Sequence, residues 1–556
     1  MKSICKLFAI ALLSALTGTG LPVHAQVVEN HNSKVSRNLE IFNEIYKALD
    51  LYYVDTLAAD TVIRWAIDGM LANVDPFTGY YPAEDEDLRQ MATGKYAGIG
   101  SVIRYHKGHD RVVISEPYEN TPSSGAGLRA GDIILSIDGK DIKGMLPTVV
   151  SSMLRGEAGT TMELTFRRPG DDKPRTVHIT RNTIQMPAIP YFGIMDEGIG
   201  YINLSSFTGG CAREVRNALV KLIAEGAGGL ILDLRDNVGG AVNEAVDITN
   251  LFLDKGIEVV YTKGKQPSMN HEYSTTTDPV APDMPLVVLV NGSTASSAEI
   301  VSGALQDMDR AVIMGTRTYG KGLVQAIRDV PYRGELKLTT GRYYIPSGRC
   351  IQAHKYNHDG SIRTIPDSLQ KIFYTKAGRR VMDGGGIQPD IVMPDDTLPT
   401  MVYDLVQSDI FFDWVTDFVA THPDVTAPRD FSLSDSLYAD FCLRVEKSDF
   451  TYNRRSDEVM KLLRQVARME EYLEVAEAEM KALETKFAPD IHRDLERLRR
   501  HIIPYIESEI MTRYYHQQGN IRHTMPEDKV YRRAVDILRD PERYNAILRN
   551  NEAQHP

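Results

Sequence analysis

The chain has 556 residues, of which 42% are hydrophobic and 25% charged, with a formal net charge of −12. That length predicts three or four modules of ordinary globular composition. The acidic balance argues against non-specific nucleic-acid binding, and beyond the amino end no apolar run is long enough to span a membrane.

Residues 1–25 read as a signal peptide. Lys2 and Lys6 supply its positive region, residues 7–16 a short apolar run, and Val23-His24-Ala25 a small-residue cleavage site before Gln26. The expectation is export, to a bacterial periplasm, and solubility once the signal is removed; a retained membrane anchor is the alternative. Cys5 leaves with the signal. Cys211, Cys350 and Cys442 remain, and three cysteines imply no disulfide framework.

Residues 26–92 form an N-terminal segment, helical from residue 30 to 90. Leu39, Ile41, Ile45 and Leu49 keep helical spacing, as do Ile63, Ala66, Ile67 and Met70. Residues 93–184 follow. The stretch PSSGAGLRAGDIILSIDG, residues 122–139, has turn glycines at Gly127 and Gly131 and a half-buried alternation at Ile133, Leu135 and Ile137. It resembles a PDZ domain, a mainly β fold with two helices. The resemblance places a carboxylate-binding loop at Tyr96, Ala97, Gly98, Ile99 and Gly100, where successive N–H groups form an anion nest. The adjoining residues 101–105 would add a peptide strand at their edge. Val149, Val150, Met153 and Leu154 would line a pocket for an apolar last side chain. The plainer reading is that these glycines only make a hairpin. Arg168 either links this domain to the next or is solvated.

Residues 185–396 alternate apolar strands with helices, which predicts a mainly parallel sheet with helices over it. Residues 229–240, GLILDLRDNVGG, read as a buried strand ending in a glycine turn, so Gly239 and Gly240 lie at a strand's carboxyl end. Asp233, Arg235 and Asp236 read as structural ion pairs. Residues 285–290 form a second buried strand that breaks at Asn291-Gly292. A turn, Ser293-Thr294-Ala295-Ser296-Ser297, follows, and then Ile300, Val301, Ala304, Leu305 and Met308 recur at helical spacing. Hydroxyls at a helix N-terminus meet free N–H groups and a positive dipole end. The turn suits a serine nucleophile and its oxyanion, and equally a plain N-cap serine. Downstream, Gly320-Lys321-Gly322 aims one amine at a site. His354 and His358 are four apart, but Gly360 argues for a loop there, and no metal or cofactor is expected. Residues 397–556 are rich in Glu, Arg, Leu and Met and read as a helical appendage.

NGSTASSAEI at 291–300 and Gly320-Lys321-Gly322-Leu323-Val324-Gln325 resemble the nucleophile turn and lysine motif of the S41 peptidases, the C-terminal processing (tail-specific) proteases. Residues 66–81, AIDGMLANVDPFTGYY, resemble a further element of that family, with Phe77 where the family has His. Register by Asn291 and Glu299 puts the family's nucleophile on Ser296; Ser297 is its rival, standing where an Ala is usual. The resemblance implies a Ser-Lys dyad, with Lys321 as general base and Gln325 orienting it. The amides of Gly239 and Ser297 would form the oxyanion hole. It implies a serine endopeptidase cutting proteins near free, apolar C-termini read by the PDZ domain. Homodimerisation through N- or C-terminal helices and an activating adaptor are the partners it suggests. The rival reading is a non-catalytic binding or adaptor protein of the same fold.

Overall fold

The computed structural model describes residues 30–549, apart from 84–87, 89, 91–92, 197, 358–360, 395–396 and 453. The segment read as a signal peptide and His358 lie outside the described residues. The chain divides into two units, residues 1–73 and 74–556.

In the first unit, α1 (His31–Tyr52) is N-capped by Asn30, whose side chain accepts from the Asn32 N–H at 2.7 Å. The helix α2 (Ala59–Ala72) follows, and the Tyr46 hydroxyl donates to the Ala59 carbonyl at 3.2 Å. The helix expected to run to residue 90 ends here. Pro76 disfavours helical backbone at Asp75, and the Asp75 carboxylate accepts from the N–H groups of Phe77 and Thr78, both at 2.8 Å. That turn leads into β1 (Gly79–Tyr81), so residues 74–81 belong to the second unit.

The second unit continues with β2 (Lys95–Gly98), β3 (Ser101–His106), β4 (Arg111–Pro117) and β5 (Ile133–Ile137). Then come α3 (Pro147–Leu154), β6 (Thr161–Arg167), β7 (Arg175–Thr180) and β8 (Asn182–Gln185). Strands β3-β4-β5-β6-β7 make an antiparallel sheet, and β2 pairs with β8. Val112, Ile114, Ile134, Leu164 and Phe166 are buried in its core. Arg168 is bound within its own domain. Its guanidinium binds both oxygens of buried Asp132 at 2.8 Å and the Gly127 carbonyl at 2.8 Å, tying down the glycine turn.

A six-stranded sheet forms the next layer. It is built from β9 (Tyr191–Asp196), β10 (Ile199–Asn203), β11 (Gly229–Asp233), β13 (Leu286–Val290), β14 (Val312–Gly315) and β17 (Ile391–Val392), in that order, and only β9 runs antiparallel. The intervening helices α4 (Cys211–Ala224), α5 (Val242–Thr249) and α6 (Ser297–Asp307) pack on one face. A second sheet joins β12 (Glu258–Gly264), β15 (Leu323–Val330) and β16 (Gly334–Tyr344) to β1, whose Gly79 to Tyr81 pair with Lys337 to Glu335.

The carboxyl third is helical: α7 (Thr400–Gln407), α8 (Asp409–Thr421), α9 (Asp435–Glu446), α10 (Arg455–Met469), α11 (Leu473–Phe487), α12 (Ile491–Thr524), α13 (Lys529–Leu538) and α14 (Pro541–Arg549). It is more than an appendage. Tyr531, Ala534, Ile537, Tyr544 and Ile547 of α13 and α14 cover the second face of the six-stranded sheet, against Tyr201, Ile231, Val287, Leu289 and Val312. Continuous apolar strands demand burial on both faces, and this segment supplies the missing layer. The Tyr544 hydroxyl donates to the Leu286 carbonyl at 3.3 Å and accepts from its N–H at 3.0 Å. Arg235, flanked by Asp233 and Asp528 at 2.6 Å each, fastens the same junction. Further along, Phe412 of α8 is buried against Val113 and Ile133 of the PDZ-like sheet. Around it, Arg104 meets Asp409 at 3.2 Å and His106 meets Asp413 at 3.0 Å. Among the described residues all three cysteines, Cys211, Cys350 and Cys442, are free.

Candidate active site

The turn after β13 is built from buried hydrogen bonds. The Thr294 hydroxyl accepts from the Asn291 N–H at 2.9 Å and donates to the Leu234 carbonyl at 2.8 Å. The Ala295 N–H donates to the Asn237 carbonyl at 2.9 Å. The chain then passes through Ser296 at φ 57° and ψ −116° before α6 begins. A positive φ at a side-chain-bearing residue is strained, and strain of this kind persists only where the surroundings enforce it. The result is a partly exposed Ser296 at the positive end of a buried helix. Ser297, its rival, is fully buried, and its hydroxyl donates to the Gly240 carbonyl at 2.8 Å.

Gly239 presses against this turn. It has φ +97°, and a Cβ there would lie 2.7 Å from the Ala295 carbonyl and 2.9 Å from the Ser297 nitrogen, so only glycine fits. The Ser297 N–H opens the helix and has no intrahelical acceptor. The Gly239 N–H, expected in the oxyanion hole, instead donates to the Asn237 side chain at 2.9 Å. In this arrangement it is engaged.

Glu299 connects the serine turn to the lysine loop. It is fully buried, and each carboxylate oxygen accepts twice. Oε2 takes the N–H groups of Ser296 at 2.8 Å and Lys321 at 2.9 Å; Oε1 takes the Thr318 hydroxyl at 2.5 Å and the Gly320 N–H at 2.8 Å. Burial pushes its carboxyl up to about 7, against the pull of those four donors. Tyr343 adds a second tie, its hydroxyl lying 3.2 Å from the Ser296 carbonyl and also donating to that of Lys321.

The Lys321 side chain is held differently. Its amine sits 4.3 Å from the centre of the Phe77 ring, and burial, helped by Lys337, lowers it from 10.5 to about 8. Glu299 and Asp75 act in the opposite sense. Among the described residues no hydrogen bond joins this amine to Ser296 or Gln325. The Gln325 amide nitrogen donates to the Thr339 hydroxyl at 3.2 Å. Gly239, Ser296, Ser297 and the Lys321 backbone meet at one turn, while Gln325 lies on β15 opposite Thr339. Motif reading treated Glu299 only as a register mark and Phe77 only as a departure. Lys337 and Tyr343 lie in KLTTGRYYIPSGRCIQ, residues 337–352, a stretch that also resembles the S41 family, and Asn237 lies in the strand and glycine turn of residues 229–240; neither stretch assigns them chemistry locally, and long-range packing brings them to the site.

The PDZ-like groove is a cavity of about 260 Å3, lined among others by Tyr96, Ile99, Gly100, Tyr118, Leu154 and Arg155. Ala97 and Gly98 are taken up in the β2–β8 ladder, opposite Thr183 and Asn182. Ser151 and Leu154 of α3, and Arg155 just beyond its end, line the groove. Val149 instead points outward and Met153 packs against the domain core, because they sit on different faces of the helix. A larger cavity of about 590 Å3 lies at the carboxyl ends of β10, β11, β13 and β14, and the Arg235 ion pairs line it. Among the described residues no cluster of His, Cys, Asp and Glu could hold a metal ion, and His354 lies in an extended segment rather than on a helix.

Three family models match this chain: peptidase family S41 over residues 198–362, the PDZ domain over 97–180, and the C-terminal helical domain of probable PDZ-proteases over 401–538. A carboxy-terminal-processing protease of Bartonella bacilliformis is 36% identical over 331 residues, 59% of this chain and 75% of that protein. A probable CtpA-like serine protease of Staphylococcus aureus is 32% identical over 345 residues, 61% of this chain and 68% of that protein. Among solved structures, a photosystem II D1 C-terminal processing protease matches at 28% identity and a TM-score of 0.36, over 65% of this chain and 94% of that one. The family models define a multidomain protease that carries a PDZ domain and a helical C-terminal domain. The chain belongs to peptidase family S41, among the carboxy-terminal-processing serine proteases.

Proposed function

We propose that this protein is an endopeptidase with a Ser296–Lys321 dyad that cleaves exported proteins near their C-termini. The observation that carries the reading is the Glu299 bridge, which holds the backbone of Ser296 and that of Lys321 on the two sides of one carboxylate oxygen. Ser296 attacks the scissile carbonyl while the neutral Lys321 amine takes its proton. The tetrahedral oxyanion is met by the N–H of Ser297 and by that of Gly239 once it lets go of Asn237. Collapse expels the amine half of the substrate, which receives the proton from Lys321. Water then hydrolyses the acyl-enzyme with the same base.

A free lysine near 10.5 is almost wholly protonated at neutral pH; at about 8 a useful fraction is neutral. Substrate seating draws the amine off Phe77 toward Ser296. Gln325, anchored through its nitrogen to Thr339, offers the amine its carbonyl oxygen without adding charge. The PDZ groove takes the substrate's apolar C-terminus, with its carboxylate at the Ile99–Gly100 backbone. Residues 1–25 direct export to a periplasm; among the described residues no helix is long and apolar enough to cross a membrane. A fluorophosphonate probe should label the protein on Ser296. Labelling on Ser297 would move the nucleophile to the rival serine, and no labelling of a folded protein would leave the non-catalytic adaptor reading.

A further inference from the structure

Residues 353–385 contain two short hairpins, His354–Tyr356 with Ile362–Thr364 and Ile372–Tyr374 with Arg380–Met382. Strand side chains alternate between two faces. In the second hairpin Val381 is buried, and Phe373, paired with it, is half-buried. The other face of such a hairpin is ordinarily polar, because its apolar side is already used. Here that face carries Ile372 and Tyr374, 49% and 62% exposed, and Leu369 just before them is 69% exposed. Ile362 of the first hairpin is bare as well, at 57%. Apolar side chains grouped on one exposed face mark an interaction site.

Charge names the occupant. Residues 361–382 hold five basic side chains and one acidic one, in a chain whose net charge is −12. Arg379 is buried and spent on Asp309 and Asp390, at 2.6 Å each. The acidic one, Asp367, is met by Arg317 at 2.8 Å. Arg363, Lys371 and Lys376 are exposed and form no ion pair among the described residues. Basic side chains are thus interleaved with bare apolar ones, while the chain as a whole is acidic. An anionic bilayer offers the complement of both, phosphates at its surface and hydrocarbon just beneath. Tyrosine sits at headgroup level, leucine and isoleucine reach the acyl boundary, and long basic side chains return their charge to the phosphates.

We propose that this face docks peripherally on an anionic lipid bilayer. The acidic remainder of the chain is repelled by the same surface, which fixes the side that approaches. The segment is rooted in the lysine loop. The Ala353 N–H donates to the Gly320 carbonyl at 2.9 Å, and the Gln352 side chain accepts from the Gly322 N–H at 2.7 Å. Docking therefore brings the candidate site close to the bilayer. The contact is separate from the proteolytic chemistry, so its test does not depend on activity.

The full-length protein should co-sediment with phosphatidylcholine vesicles that contain about 30% phosphatidylglycerol, at least about tenfold more tightly than with phosphatidylcholine alone, and should come off as salt is raised. Leu369→Ser with Tyr374→Ser leaves the charge unchanged; Lys371→Glu with Lys376→Glu leaves the apolar side chains unchanged. Each pair should weaken binding to the mixed vesicles at least about tenfold. Neither should shift thermal unfolding, since all four side chains are exposed. Lys371→Arg with Lys376→Arg should bind as the parent does. A parent that ignores the mixed vesicles would overturn the proposal. So would binding that survives both pairs, which would place the contact elsewhere, such as on residues 1–25. Loss with the lysine pair alone, the serine pair binding fully, would reduce the face to diffuse attraction for any polyanion. Equal binding to poly-glutamate would then assign it to acidic polypeptides instead of lipid.

Discussion

Ser296 and Lys321 share one carboxylate, yet the two halves of the candidate site are held in different ways. On the serine side the backbone itself is fixed. Thr294 and Ala295 are bonded to the end of β11, Gly239 leaves no room for movement, and Ser296 is forced to a positive φ. On the lysine side only the backbone is fixed. The amine is at the end of a flexible stem, with an aromatic ring for a neighbour and no hydrogen bond to the serine. A nucleophile needs one position, whereas a base that must collect a proton and later hand it to a leaving group gains from a short reach.

The largest expected effect tests the serine half. Ser296→Ala should abolish peptide cleavage, while Ser297→Ala should keep most of it, because the Ser297 contribution is a backbone N–H that alanine retains. A dead Ser297→Ala beside an active Ser296→Ala would reverse the assignment. Next comes the connection between the halves. In Glu299→Gln the NH2 must face donors whichever way the amide is turned, the N–H groups of Ser296 and Lys321 on one side or the Thr318 hydroxyl and the Gly320 N–H on the other. We expect kcat/KM to fall at least about a hundredfold and the urea midpoint to drop by an amount worth about 1–3 kcal/mol, the usual cost of unsatisfied buried donors. A stable, active Glu299→Gln would show that the two halves are positioned independently.

Lys321 separates activity from stability. Its folded value of about 8 lies below the ordinary 10.5, so protonation favours the unfolded chain. The resulting penalty is complete below pH 8 and fades as pH rises from there to 10.5. Lys321→Met should therefore be inactive yet at least as stable as the parent near neutral pH, by urea titration. Lys321→Arg should be inactive as well, since guanidinium does not deprotonate in this range; an active arginine variant would sink the dyad. The parent's own cleavage rate should rise with pH toward a midpoint near 8.

The smallest effects sharpen the lysine half and the groove. A ring under an ammonium favours the charged form by roughly 0.5–1 kcal/mol. Phe77→Leu keeps the apolar cover but removes that attraction, and should move the acid limb of the pH–rate profile down by about half a unit. An unmoved limb would mean the amine spends little time over the ring. Peptides with amidated C-termini should be cut a few-fold more slowly than free acids, through KM; equal rates would show that the groove does not read the terminus.

What the sequence made legible follows from where information is stored. The serine turn, the Gly239 turn and the Gly320–Gly322 loop need particular backbone shapes, and small residues and glycines announce such shapes locally. A mainly parallel sheet was readable from its unbroken apolar strands. The groove was readable as a place and in part as side chains, since Tyr96, Ile99, Gly100 and Leu154 line it. Choosing Val149 and Met153 over Ser151 and Arg155 is an error of two positions in helical phase, which only packing fixes. Phe77 stood out as an odd residue in a familiar stretch, with nothing nearby to say that it would lie beneath Lys321, 244 positions further along. The carboxyl-terminal helices showed amphipathic spacing, but a stripe does not name the surface it will cover.

That covering layer also has a bearing on timing. Val287, Leu289 and Val312 lie at the centre of the sheet that carries the serine turn, and the side chains that seal them belong to α13 and α14. A chain made from its amino end thus holds an unfinished catalytic domain until residues 529–549 have emerged. During that interval the strand leading to Ser296 is open on one side. The sheet is sealed on both faces only once a segment more than 200 residues beyond the serine turn has joined it.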